Sequence, residues 1–129
     1  MRVLLEDLLV RHTAAWNAHD VDELMSMFTD DCVFEAAGGD EAVGTTYSGK
    51  EEVASAFADI LAGLPDARFV PVRDSIVDDG YAISEWLLTG SVGGGQRIEI
   101  RGCDFLTVRD GKIARKDSFT KQRPPIEAA

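Results

Sequence analysis

The chain is short of basic residues, cysteine and long apolar runs, and each shortage removes a class of function. Against 23 acidic residues stand 13 basic ones, a formal net charge of −10. Nucleic acid is held by clustered Lys and Arg that neutralise phosphates, so no nucleic-acid partner is expected. The same charge disfavours anionic membrane surfaces. No apolar stretch approaches the ~18 residues needed to cross a bilayer. The opening segment, MRVLLEDLLV, is oily but carries Glu6 and Asp7 and lacks a small-residue cleavage site. No signal peptide is therefore expected. Cys32 and Cys103 are too few for a disulfide framework or a zinc site, and reduced thiols in a cytoplasmic protein are the expectation. His12 and His19 combine with no carboxylates at a metal-binding spacing, so no metal is expected. There is no Gly-x-Ser-x-Gly elbow and no Cys–His pairing for a nucleophile. Gly93-Gly94-Gly95 lies between two strand-like segments with no helix or lysine following, which makes it a turn rather than a phosphate loop.

What is present is enough for one domain of 129 residues with a sizeable core. Leu5, Leu8, Leu9, His12 and Trp16 recur at helical spacing and predict a helix over residues 3–18. Asp20 with Glu23 forms a capping box for a short second helix whose stripe is Leu24, Met27 and Phe28. Thr29-Asp30-Asp31 ends it, and Cys32 to Glu35 reads as a short strand. Residues 37–47 are Gly-rich and acidic and read as a loop. Ser48 and Glu51 form a second capping box for a helix over 49–62, stopped by Gly63 and Pro65. The period then becomes two. Phe69 to Val77, Tyr81 to Thr89, Gln96 to Val108 and Lys112 to Thr120 predict four strands joined by hairpin turns. Three helices followed by an antiparallel meander is an α+β layout, helices packed on one face of a bent sheet. Residues 123–129 read as a loose tail. Trp86 and Leu88 alternate with Glu85 and Leu87, so neither face of that strand is plainly wet, and a homodimer through the sheet follows.

Two polar residues interrupt apolar faces. On the strand over 96–108, Ile98, Ile100, Gly102, Asp104, Leu106 and Val108 share one side, apolar except for Asp104. A carboxyl group there must be paired, line a wet cavity or take up a proton. His12 is the matching anomaly in the stripe of the first helix. The plain reading of each is a hydrogen-bonded core residue. Two such residues on elements that should face each other point instead to a polar spot in a pocket. Asp117 alternates with Ile113, Arg115 and Phe119, while Lys116, Ser118 and Thr120 take the other side, and neither side of that strand is clearly apolar.

Trp16-Asn17-Ala18-His19-Asp20, Leu24 to Phe28 and Thr29 to Phe34 resemble the opening of the NTF2-like superfamily, which includes SnoaL-like polyketide cyclases and ketosteroid isomerases. Tyr47 to Val53 looks like its third-helix start, and Gly102 to Ile113 like its last hairpin. The resemblance runs from about residue 5 to 121 and places a single domain over residues 1–122. It implies a cone-shaped α+β barrel with a pocket at the open end, commonly a homodimer. One scaffold of this kind hosts many activities. Asp104 falls where ketosteroid isomerases keep a protonated aspartic acid, a family that serves as the type case of a carboxyl group held neutral by an apolar site. His12 falls on their oxyanion tyrosine. Their general-base aspartate falls on Ala36, which cannot take a proton, and Glu35 beside it points to the opposite strand face. The Arg-x-Asp pair of limonene epoxide hydrolases falls on Trp86 and Leu88.

The resemblance and the two anomalies together predict a SnoaL-like protein that binds a small apolar or aromatic ligand and, if an enzyme, moves protons beside a carbonyl group without a cofactor. Asp104 is the expected acid, raised in pKa by burial, and His12 its partner as second donor or base. Trp16, Phe34, Phe57 and Trp86 are the expected apolar walls. The alternative is a non-catalytic binding or dimerisation module in which Asp104 and His12 bond to each other.

Overall fold

The computed structural model describes residues 2–128. The first helix, α1 (Arg2–Asn17), buries Leu5, Leu8, Leu9 and Trp16, the face its spacing predicts. His19 has a positive φ of 54° and turns the chain into α2 (Val21–Ser26). Asp20 caps α2, its carboxylate accepting from Glu23 N at 3.0 Å. The box is half formed, because the Glu23 side chain turns away to Arg11 at 3.1 Å.

The second helix ends two residues earlier than its stripe predicts. Met27 already leaves helical geometry, and Phe28 opens strand β1 (Phe28–Glu35), wholly buried opposite Ile113. The Ile113 amide donates to Met27 O at 2.8 Å, so pairing with the last hairpin captures backbone that local pattern assigns to a helix. Thr29, Asp30 and Asp31 form the irregular start of this strand rather than a helix stop. The end of the predicted loop runs into β2 (Thr46–Ser48), paired with β1. Helix α3 spans Lys50–Gly63 with Gly49 at its N-cap. Gly49 has no side chain to cap with, and the predicted Ser48–Glu51 box is absent. Instead Glu52 Oε1 accepts from Ser48 N at 3.2 Å.

Four long strands follow as predicted: β3 (Arg68–Asp78), β4 (Tyr81–Gly93), β5 (Gln96–Arg109) and β6 (Lys112–Thr120). Gly93, Gly94 and Gly95 all have positive φ, which confirms the turn between β4 and β5. The tail is not loose throughout. Strand β7 (Ile126–Glu127) pairs with Gln96 and Arg97 at the far end of β5. The sheet runs β2-β1-β6-β5-β4-β3, antiparallel except for β1 beside β6, curved and unclosed. Helix α1 packs on β3, and α3 packs on β1 and β2. Their apolar faces meet Ala82, Leu106 and Ile113 from the sheet. Among the described residues no helix is long and apolar enough to cross a membrane.

One irregularity positions the site. Val108 pairs with Ile113, but Thr107 pairs with Arg115, so Ala114 is an extra residue on β6. This bulge turns every later side chain of β6 to the face opposite the one a regular hairpin would give it.

Candidate functional site

Between the helices and the concave sheet face lies a cavity of about 290 Å³. Both anomalous residues reach it, and both are buried at 3% exposure. They do not touch each other directly. Lys116, only 4% exposed, stands between them. Its Nζ lies 3.1 Å from His12 Nε2 and 3.7 Å from Asp104 Oδ2. Sequence reasoning left this residue on a strand with no evident inner face. The bulge at Ala114 brings it inward, opposite Leu106, and places Ser118 opposite Asp104.

Each partner follows from register or helical spacing. Trp16 follows His12 by one turn, so its indole N–H donates to Nε2 at 3.2 Å. Ser118 and Asp104 are direct cross-strand neighbours, and the Ser118 hydroxyl donates to Oδ1 at 2.6 Å. The indole N–H of Trp86 donates to Oδ2 at 3.0 Å. Its ring crosses β5 over Gly102, where a Cβ atom would lie 2.3 Å from the ring. Gly102 is therefore a space requirement.

Two hydrogen-bond donors and the Lys116 ammonium converge on Asp104, a setting that suits a carboxylate acting as acceptor. His12 Nε2 receives both Trp16 and Lys116, which leaves the ring proton on Nδ1. Burial first, and the nearby Lys116 charge second, push His12 well below its ordinary value of 6.5. Burial also lowers Lys116 from its ordinary 10.5, and the Asp104 carboxylate opposes that shift. One negative group, one positive group and a neutral ring leave the polar end of the cavity with no net charge. A neutral ligand carrying one polar group fits such an end.

Of the expected walls, Trp16, Phe34 and Trp86 line the cavity. Phe57 does not. It is wholly buried one layer behind, 4.8 Å from the Trp16 ring and 5.0 Å from Phe34. Phe69 takes a wall position that sequence reasoning missed, its ring wedged between the two indoles at 5.4 Å from Trp16 and 5.1 Å from Trp86. Its signal was present as the first large residue on the inward side of β3, opposite Leu88. Ala36 lines the cavity as well. Glu35 faces away, paired with Arg115 Nε at 2.6 Å on the other side of the sheet. Among the described residues no group of three or more His, Cys, Asp or Glu side chains could hold a metal ion.

A curved sheet wrapped over helices encloses an apolar cavity with a polar cluster at its end. Residues 9–116 match the SnoaL-like domain family, and the chain belongs to that family. No curated protein matches the chain. Solved structures share the fold. A polyketide cyclase-like protein from Xanthomonas campestris pv. campestris is similar with TM-score 0.80 at 19% identity, covering 92% of this chain and 90% of its own. A SnoaL-like polyketide cyclase-like protein from Jannaschia sp. CCS1 gives TM-score 0.79 at 17% identity, with 92% and 85% covered. TerC, co-crystallised with polyporic acid, gives TM-score 0.75 at 18% identity, with 89% of each chain covered. At these identities the likeness is one of fold alone.

Proposed function

We propose that the cavity binds a small apolar or aromatic carbonyl compound and that the cluster at its end moves protons beside the carbonyl group. The observation that carries this reading is the single lysine–carboxylate–imidazole cluster buried at the end of an otherwise apolar hollow. At about 290 Å³ the hollow is at the small end of ligand pockets, roughly 300–1,000 Å³, which favours one or two rings over a larger skeleton. The aromatic walls cover the ring faces. Lys116 donates to the carbonyl oxygen and stabilises the negative charge that develops there as an enolate forms. Asp104 is the carboxylate that takes the proton, with His12 as the neutral acceptor beside it. This chemistry of isomerase, cyclase or lyase type asks for no cofactor. The polyketide cyclase-like neighbours, and TerC co-crystallised with polyporic acid, support an organic ligand of this kind.

The test is exchange of the α-protons of β-tetralone in deuterated water, followed by NMR. The wild-type protein should accelerate exchange. Asp104→Asn should abolish the acceleration, and His12→Gln should weaken it, with the fold intact by circular dichroism. A second reading is favoured by Ala36, an inert side chain where isomerases of this fold keep a base. Under that reading the cavity binds without catalysis. The two substitutions then lower stability by ~1–3 kcal/mol, and wild type shows no exchange beyond the solvent rate.

We also propose a cytoplasmic homodimer. Cys32 and Cys103 are both free, and burial raises both thiols. The outer sheet face carries an aromatic patch of Tyr81, Phe105 and Phe119, with Phe119 52% exposed.

A further inference from the structure

Lys116 is the one buried member of the chain's four lysines. Lys112 and Lys121 are exposed, and Lys50 is half-buried beside Asp30. Lys116 Nζ lies 4.4 Å from the centre of the Trp16 ring and 5.2 Å from that of Phe57. Proton acceptors flank it on two sides, His12 Nε2 on α1 and the Asp104 carboxylate on β5. A donor to a carbonyl oxygen needs only charge. A primary amine buried at the end of an apolar cavity, between two groups able to relay protons, has the further requirements of a nucleophile.

We propose that Lys116 forms an imine with an aldehyde or ketone bound in the cavity. The inference rests on the reading that a carbonyl compound occupies it, and deepens it by naming the bond made. The neutral amine adds to the carbonyl carbon, a C–N bond forms, and the carbonyl electron pair moves to oxygen. Two protons pass from nitrogen to that oxygen, relayed by His12 Nε2 and the Asp104 carboxylate. The C–O bond then breaks and water leaves, giving C=N. Lysine and carbonyl compound are fully accounted for as imine and water, with no oxidant or reductant. The burial that lowers Lys116 enlarges the reactive fraction, tenfold for each unit the amine falls. The ion pair with Asp104 keeps the rest as the donor form, so both uses draw on one nitrogen.

Benzaldehyde is the probe, since it has no α-proton and reports the covalent step apart from proton exchange. The wild-type protein is incubated with benzaldehyde and cyanoborohydride at neutral pH, and the reduced adduct is mapped by peptide mass spectrometry. Binding is measured in parallel by calorimetry without the reductant. Labelling at Lys116 should exceed that at Lys50, Lys112 and Lys121 by about tenfold or more. Lys116→Arg, which keeps the charge but has no primary amine, should lose that label. Binding with label spread over the exposed lysines overturns the imine and leaves the carbonyl-binding reading standing. Neither binding nor label overturns both. Because the map is read on the wild-type chain, the result does not depend on whether any variant folds.

Discussion

Removing the Lys116 ammonium leaves the buried Asp104 carboxylate with two neutral donors and no counter-charge. Breaking a buried pair from one side is the costly direction, and Lys116→Met should destabilise the protein by about 3 kcal/mol in urea denaturation. Lys116→Met with Asp104→Asn together should recover part of that loss, since the pair then goes as a unit. His12 gives the cluster a pH dependence of defined sign. In the unfolded chain it takes up a proton near 6.5, while burial and Lys116 hold the folded ring unprotonated to much lower pH. The unfolded state therefore binds more protons as the pH drops. The stability that His12 contributes is complete above ~6.5 and is lost as pH falls from there toward its depressed folded-state value. Denaturation midpoints measured across this range should fall with acid in wild type and less steeply in His12→Gln.

At the scale of elements, strand geometry decides which side chains meet. Gly102 on β5 is occupied from above by the Trp86 ring, and Gly102→Ala would set a methyl group about 2.5 Å or less from it. The ring must move, and with it the hydrogen bond to Asp104. The substitution should lower thermal stability and weaken ligand binding together, as read by calorimetry. Much of this arrangement is legible in sequence, because His12 and Asp104 break otherwise apolar faces and such faces point inward. Trp16 follows from the same helical stripe, while Phe34 and Trp86 are expected as walls only because such pockets are lined by aromatic side chains. Lys116 does not. A regular hairpin closed at Asp110-Gly111 would place Leu106 opposite Arg115 and Asp104 opposite Asp117. The bulge that skips Ala114 substitutes Lys116 and Ser118, and no local pattern announces it. The early end of α2 at Ser26 has a similar origin, since the competing partner of Phe28, Ile113, lies far along the chain. Phe57 has the right spacing for a wall. Depth beneath Trp16 and Phe34 is a property of packing that spacing does not encode.

For the whole molecule, the concave side of the sheet is filled by helices and cavity, and the convex side is left to solvent or to a partner. On that convex side Glu85 answers Arg73 at 3.0 Å and Arg101 at 3.6 Å, beside the exposed aromatic patch. Charges paired within one chain around a greasy centre suit contact with a second copy better than isolation. Sedimentation should show a dimer for the wild type and a monomer for Phe119→Arg, with the cavity and its cluster undisturbed. The chain's two tryptophans both line the cavity, and each ties its indole N–H to one arm of the polar cluster. Every fluorophore of the long-wavelength band therefore looks into the same hollow. Its emission is a built-in gauge of what enters, what leaves and which protons are present.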